Sequence, residues 1–235
     1  MTKTRQIKPD VSVVIPVYNN EPTITDLCTE IIGDLKDLGH RCEVILVNDA
    51  SADNSWEAIS TLSNRFSEVT GINLVRNGGQ NMAIYTGLKK AQSPVILTMD
   101  ADLQDDPEMI SKLLQTLDKD TDVVFIKRIG QYQKAGRMLT SLLFKGFLQS
   151  ITGLHRKAGS YYLIKQSVVL KMISFDCRYP IMTIMAYSLS KNVKYLPAAR
   201  ATNEGISSYT FRKRCYYAFR ATYCAIQCRI YRLRS

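Results

Sequence analysis

The residues of this sequence that could do chemistry gather in short polar segments, each directly behind an apolar run. Asp100-Ala101-Asp102 follows Val95-Ile96-Leu97-Thr98-Met99, and Leu103-Gln104-Asp105-Asp106-Pro107 comes next. Where a strand frays into a loop, alternate residues can turn toward one point, so carboxylates at i and i+2 can share a divalent cation with a bound diphosphate. Without a cation the same pair would repel that diphosphate. Part of the acidic run has a plainer reading. Asp106 before Pro107 suits a helix start, and Asp105 and Glu108 suit its dipole. Asp100 and Asp102 are not needed for that. Asp49 lies behind a second apolar run, Val44–Val47, where a carboxylate can accept the imide N–H of a nucleobase, with Pro16 and Tyr18 as apolar and aromatic walls. Ser51 and Asp53 fit a turn and helix cap at least as well. Asn77-Gly78-Gly79 reads equally as a turn or as part of a site.

The chain that must position these groups has 235 residues, 46% of them apolar, enough to bury a full core. Short β-branched runs at Val11–Val17, Val44–Val47, Ile72–Val75, Val95–Met99 and Val123–Ile126 predict buried strands. Helical patterns near 23–38, 54–67, 80–92 and 107–118 lie between them. That alternation predicts βαβ units, hence an α/β fold with a mostly parallel sheet flanked by helices and ligands at the carboxyl ends of its strands. The G-x-G dinucleotide fingerprint and the P-loop are both absent. Only two histidines, His40 and His155, leave too little imidazole for serine-triad or His-rich zinc chemistry. The six scattered cysteines read as reduced thiols.

Charge divides the chain. Residues 1–122 hold 19 acids and 11 Lys/Arg, whereas 123–235 hold 2 acids and 20 Lys/Arg. Such asymmetry points to an anionic partner. Past Asp122 only Asp176 and Glu204 are acids, so this half offers many cations to an anionic ligand and few carboxylates that could act as a general base. The second half predicts a helix over 134–152, a strand at 160–164, helices at 167–174 and 180–190, and a strand at 193–196. From Phe211, an apolar stripe of Phe211, Cys215, Phe219, Thr222, Ile226, Ile230 and Leu233 at helical spacing predicts a basic amphipathic C-terminal helix, either packed on the core or lying on an anionic membrane surface.

The segments VVIPVYNNE, VNDASADNS, NGGQNMAIYTGLKKA, MDADLQDDPE and the late GISSYTFRK, in this order, resemble the family 2 glycosyltransferases of GT-A (Rossmann-like) fold, within them the dolichol-phosphate mannose synthase-like branch with its bacterial undecaprenyl-phosphate enzymes. The resemblance spans most of the chain. It implies a nucleoside-diphosphate sugar donor, a UDP-sugar first among them, held by Pro16, Tyr18, Glu21, Val47, Asp49 and Ala101. It implies Mg²⁺ or Mn²⁺ at Asp100, Asp102 and Gln104, and a polyprenyl phosphate acceptor held by Arg128, Arg137, Arg200, Ser207 and Arg212. Asp100, Asp102, Arg128 and Arg137 would carry the catalysis. The resemblance divides the chain into a catalytic domain over 1–208, with a nucleotide-binding half at 1–122 and an acceptor half at 123–208, and a membrane-associating helix at 209–235. The sequence departs from the family pattern in an extra Asn before Glu21, in Asn48 where Asp is usual, and in Ser160, Thr202 and Ser208.

With no long apolar stretch, the expected location is cytoplasmic and peripheral to the membrane. Two rivals to a phosphate acceptor stand: a glycan hydroxyl, with Asp176, Glu204 or Asp105 as base, and nucleic acid, because 10 of the 13 tyrosines follow residue 132 among the basic residues. Nucleic acid leaves Asp100, Asp102 and Gln104 without a role and is not expected as a partner.

Overall fold

The computed structural model describes residues 9–102, 108–129, 146, 149–155, 157–199 and 211–234, with the side chains of 128, 129, 199 and 211–215 outside that description. Two compact units divide at Asp102/Leu103. In the first, β1 (Val11–Val17), β2 (Cys42–Asn48), β3 (Val69–Asn73) and β4 (Val95–Thr98) pair in the order β3-β2-β1-β4, every pair parallel. Helices α1 (Glu21–Asp37), α2 (Ser55–Arg65) and α3 (Gln80–Lys90) connect them. β1 and β2 are apolar on both faces because both are covered: Val13, Val14, Ile15, Val44, Ile45, Leu46 and Val47 are wholly buried. Ile59 of α2 sits over Gly71 of β3, while α3 lies against Val14 and Val47 through Gly87.

The strand order reverses at β1, which has β2 on one side and β4 on the other, so the crevice at the carboxyl ends of β1 and β4 is a topological switch point. Pro16 shapes it. Val14 O accepts from Met99 N at 3.4 Å, so alternate residues of β1 face β4, and Pro16, the next on that side, has no N–H to give. The ladder stops there, and the chain leaves the sheet with Asp100 and Asp102.

Most predicted elements form within two or three residues of the expected bounds. The expected strand at Ile72–Val75 is corrected: pairing runs from Val44↔Val69 to Asn48↔Asn73, and Val75 is fully exposed at 102%. An edge strand takes its register from its neighbour, and β2 already extends back to Cys42.

The second unit contains α4 (Met109–Thr116), β5 (Val123–Ile129), β6 (Ala158–Lys165), α5 (Gln166–Ser174), α6 (Met182–Leu189), β7 (Val193–Ala199) and α7 (Phe211–Arg234). β5 pairs antiparallel with β6 and parallel with β7. Tyr161 and Tyr162 are buried at 1% and 0%, core residues rather than base-stacking platforms. Of the expected helix over 134–152, residues 149–152 are described and helical; 134–145, 147 and 148 lie outside the described residues.

α7 buries Ala221, Cys224, Ala225 and Cys228, small residues that let it pack closely on α6. The expected stripe is the opposite face, with Phe219, Ile226, Ile230 and Leu233 exposed, Leu233 at 88%. Phe211 and Cys215 of that stripe have side chains outside the description. Among the described residues no helix is long and apolar enough to cross a membrane.

A Cβ at position 87 would stand 2.3 Å from Val14 Cγ1. Gly87→Ala is therefore expected to lower the thermal midpoint despite alanine's better helix propensity, by about 1–3 kcal/mol of overpacking. Adding Val14→Ala should recover part of that loss in thermal unfolding; an unchanged or raised midpoint in the single variant would contradict this packing.

Candidate functional site

The loops behind β1, β2 and β3 and the one behind β4 are tied into a closed circuit of hydrogen bonds, all within the first unit. The β1 and β2 loops are stitched reciprocally: Asn19 N donates to Ser51 Oγ (3.0 Å) and Ala52 N to Asn19 Oδ1 (2.9 Å). Asn20 N donates to Ser55 Oγ (3.0 Å) and Glu21 N to Asp53 Oδ2 (3.2 Å). Asn19 and Ala50 both hold φ of +54°, a left-handed conformation that these bonds enforce.

Asp49 closes the next link. Its side chain, 2% exposed, accepts Gly78 N at 2.7 Å and Gly79 N at 2.8 Å, and Asn77 Nδ2 donates to its carbonyl at 3.2 Å. Gly79, at φ +81°, supplies the turn that points both amides at one carboxylate and starts α3. From the first residue of α3, Gln80 Nε2 donates to Asp100 Oδ1 at 2.5 Å. Thr23 Oγ1, in the first turn of α1, donates to Ala101 O at 2.7 Å and completes the circuit.

Asn77-Gly78-Gly79 is therefore a turn, built around Asp49. Asp49 has a structural task beside the nucleobase contact expected of it, and a carboxylate with about four acceptor positions has room for both. Asp53 and Ser51 serve the loops: Asp53 Oδ1 accepts Ser55 N (3.1 Å) and Ser55 Oγ (2.6 Å), and Ser51 Oγ donates to Asn48 Oδ1 (2.6 Å). Asn48, where the family pattern has Asp, also donates through Nδ2 to Asn73 Oδ1 at 2.8 Å, a bond that a carboxylate could not give. Burial pushes the Asp53 carboxyl up, but hydrogen bonds from the Ser55 hydroxyl and the Glu21 and Ser55 amides outweigh it and hold the pKa below the ordinary value.

The circuit gathers most of the residues expected at a nucleotide site. Glu21 and Ala101 are bound into it directly; Pro16, half-buried, and Val47, buried, stand on adjacent strands in register. Tyr18 is 52% exposed beside them. Asp100 and Asp102 are half-buried on the β4 loop. Gln104, Arg137, Arg200 and Ser207 lie outside the described residues, as do the side chains of Arg128 and Arg212 and the alternative base candidates Asp105 and Glu204. Asp176 is exposed in the second unit. The sequence reading missed Thr23 and Gln80. Gln80 had a signal, a long amide directly behind a Gly-Gly turn at a helix start; Thr23 had none, since its partner is a backbone carbonyl 78 residues away.

Residues 12–178 match the model of glycosyl transferase family 2. An undecaprenyl-phosphate 4-deoxy-4-formamido-L-arabinose transferase of Edwardsiella ictaluri is 33% identical over 210 residues, covering 86% of this chain and 64% of the relative. The enzyme of the same name from Proteus mirabilis is 33% identical over 209 residues, with the same coverage. The chain thus spans just under two thirds of the length of these relatives. Among solved structures, S. aureus TarS 1–349 in complex with UDP-GlcNAc superposes with a TM-score of 0.63 at 20% identity, covering 94% of this chain and 66% of that one. Glucosyl-3-phosphoglycerate synthase from Mycobacterium tuberculosis, in complex with Mn²⁺, UDP and phosphoglyceric acid, gives 0.64 at 16% identity, covering 94% and 78%. The fold is GT-A, as the sequence predicts.

Asp49→Ala strips both glycine amides of their acceptor. We expect a loss of about 1–3 kcal/mol of stability and faster hydrogen exchange at Gly78 and Gly79 than elsewhere in the sheet; unchanged exchange there would remove Asp49 from its place at the hub. For Asp53, the depressed pKa means a contribution complete above its unfolded value of about 4 and lost as pH falls below it. The stability gap between the parent and Asp53→Asn, followed by denaturant titration, should therefore shrink as the solution is acidified through that range.

Proposed function

Because the chain belongs to glycosyl transferase family 2, we propose that it transfers a sugar from a nucleoside-diphosphate sugar to a polyprenyl phosphate, with inversion at the anomeric carbon. The observation that supports the donor half is the hydrogen-bonded circuit, which binds Asp49 and Asp100 directly and joins the loops that carry Tyr18 and Asp102. Hard carboxylate oxygens at i and i+2 suit Mg²⁺ or Mn²⁺, which ordinarily takes one or two protein carboxylates and completes its shell with substrate phosphates and water. Gln104 is proposed as a third contributor. Held by Asp100 and Asp102, such a cation would supply charge neutralisation for the departing diphosphate. Asp49 and Tyr18 orient the base, and Gln80 holds the Asp100 carboxylate in place. Uridine is the proposed base, on the strength of the UDP complexes among proteins of this fold.

The relatives' names support an undecaprenyl phosphate acceptor, and so does the charge distribution. A phosphate oxygen forms the new bond to the anomeric carbon as the bond to the nucleoside diphosphate breaks. No proton has to be removed, so no carboxylate base is needed. Arg128 and Arg137 are proposed to hold the phosphates and act in catalysis, with Arg200, Ser207 and Arg212 on the acceptor. The apolar face of α7 supports a peripheral position on the cytoplasmic surface of the membrane: Tyr216, Phe219, Ile226, Ile230 and Leu233 are all exposed on one side of a helix without a single acid.

UDP is expected to raise the thermal midpoint in the presence of Mn²⁺ and much less without it, and Asp100→Asn or Asp102→Asn should abolish the Mn²⁺-dependent part. A shift indifferent to metal in the parent would overturn the cation assignment. For the acceptor, the protein with a donor that it binds and undecaprenyl phosphate should yield a glycolipid; a donor hydrolysed or bound with no lipid product would point instead to a glycan hydroxyl. Replacing Ile226, Ile230 and Leu233 together by Ser should lower flotation with anionic liposomes while leaving thermal stability near that of the parent, since all three are exposed.

A further inference from the structure

The second unit contains a cavity of about 620 Å³ that no step of the proposed transfer uses. Among the described residues its lining includes Lys191, Arg229 and Arg232 and no carboxylate. All three cations are exposed, and among the described residues none of them forms an ion pair. Each belongs to a well-anchored segment. Lys191 N donates to Asp122 Oδ2 at 2.6 Å, which fixes the turn between α6 and β7. Arg229 Nη2 donates to Ile151 O at 3.1 Å, satisfying one carbonyl at the end of the helical stretch 149–152 with one of its five N–H groups. Gly153 terminates that stretch at φ +77°, its N–H on Gln149 O at 2.8 Å; a Cβ there would meet the Tyr187 ring at 2.9 Å, so the glycine is what lets Tyr187 form the wall. His155 Nδ1 accepts Lys157 N at 3.1 Å, which places the ring proton of the neutral imidazole on Nε2 as a donor.

Three cations and several neutral donors around one cavity, with no acid among them, form a receptor for a compact anion bearing several oxygens. We infer that this cavity binds a phosphate group. Arg229 and Arg232 lie on the last turns of α7, alongside Ile226, Ile230 and Leu233. A helix resting on a bilayer by that stripe would hold the cavity at headgroup depth. The same chemistry would also take free phosphate or a phosphorylated solute. The inference uses neither the sugar donor nor the residues proposed for the acceptor, so it and the transfer reading can fail independently.

The test compares the full chain with Lys191→Ala, Arg232→Ala and, as a control of equal charge loss on the same helical turn but outside the cavity, Arg234→Ala. Calorimetric titration with inorganic phosphate in metal-free buffer should show saturable binding in the parent and in Arg234→Ala, weakened about tenfold or more in the other two. Co-sedimentation with phosphatidylglycerol vesicles against phosphatidylcholine vesicles, at fixed ionic strength, then identifies the source. Selective loss in Lys191→Ala and Arg232→Ala assigns a lipid headgroup; retained vesicle binding with lost phosphate binding assigns a soluble phosphate. Absence of saturable phosphate binding in the parent, or equal loss in Arg234→Ala, overturns the site and leaves only a diffuse basic surface.

Discussion

The buried carboxylate of Asp49 is the constraint on which the rest of the site depends. It lies at the carboxyl end of β2 and captures two consecutive backbone amides from the turn before α3, which fixes where α3 begins. From that start, Gln80 reaches Asp100 on the β4 loop. A buried carboxylate is costly unless hydrogen-bonded, and the two glycine amides meet much of that cost.

Pro16 acts at the same place by withholding a bond. The ladder between β1 and β4 ends because the next donor is missing, so the backbone leaves the sheet after Met99, at the first of the paired aspartates, and Thr23 Oγ1 then donates to Ala101 O. The crevice is thus defined by one bond that is missing and several that replace it.

The second unit shows how one helix can carry two apolar faces with different tasks. α7 presents Ala221, Cys224, Ala225 and Cys228 to the interior and Phe219, Ile226, Ile230 and Leu233 to the surroundings. The inward residues are small, so little area is lost by close packing on α6; the outward ones are large, which suits a surface that must be covered by something else. Burial of the cysteine face is also why shortening the chain is a poor probe of the outer face.

Much of this was legible in the sequence. Runs such as Val11–Val17 announced buried strands because apolar, β-branched residues in short blocks are a local property. The acidic pair behind Met99, the division of charge at Asp122 and the family motifs are likewise read directly from residue type and spacing. Partnerships were not legible. Asp49 meets Gly78 and Gly79 across 29 and 30 residues, β3 is displaced toward Val69, and the predicted stripe of α7 proved to be the face that the core does not use. Periodicity can say that a helix has an apolar face, but not which of two faces a neighbour will cover. The order of strands in the sheet decides which loop ends meet, and that order is a property of the folded chain alone.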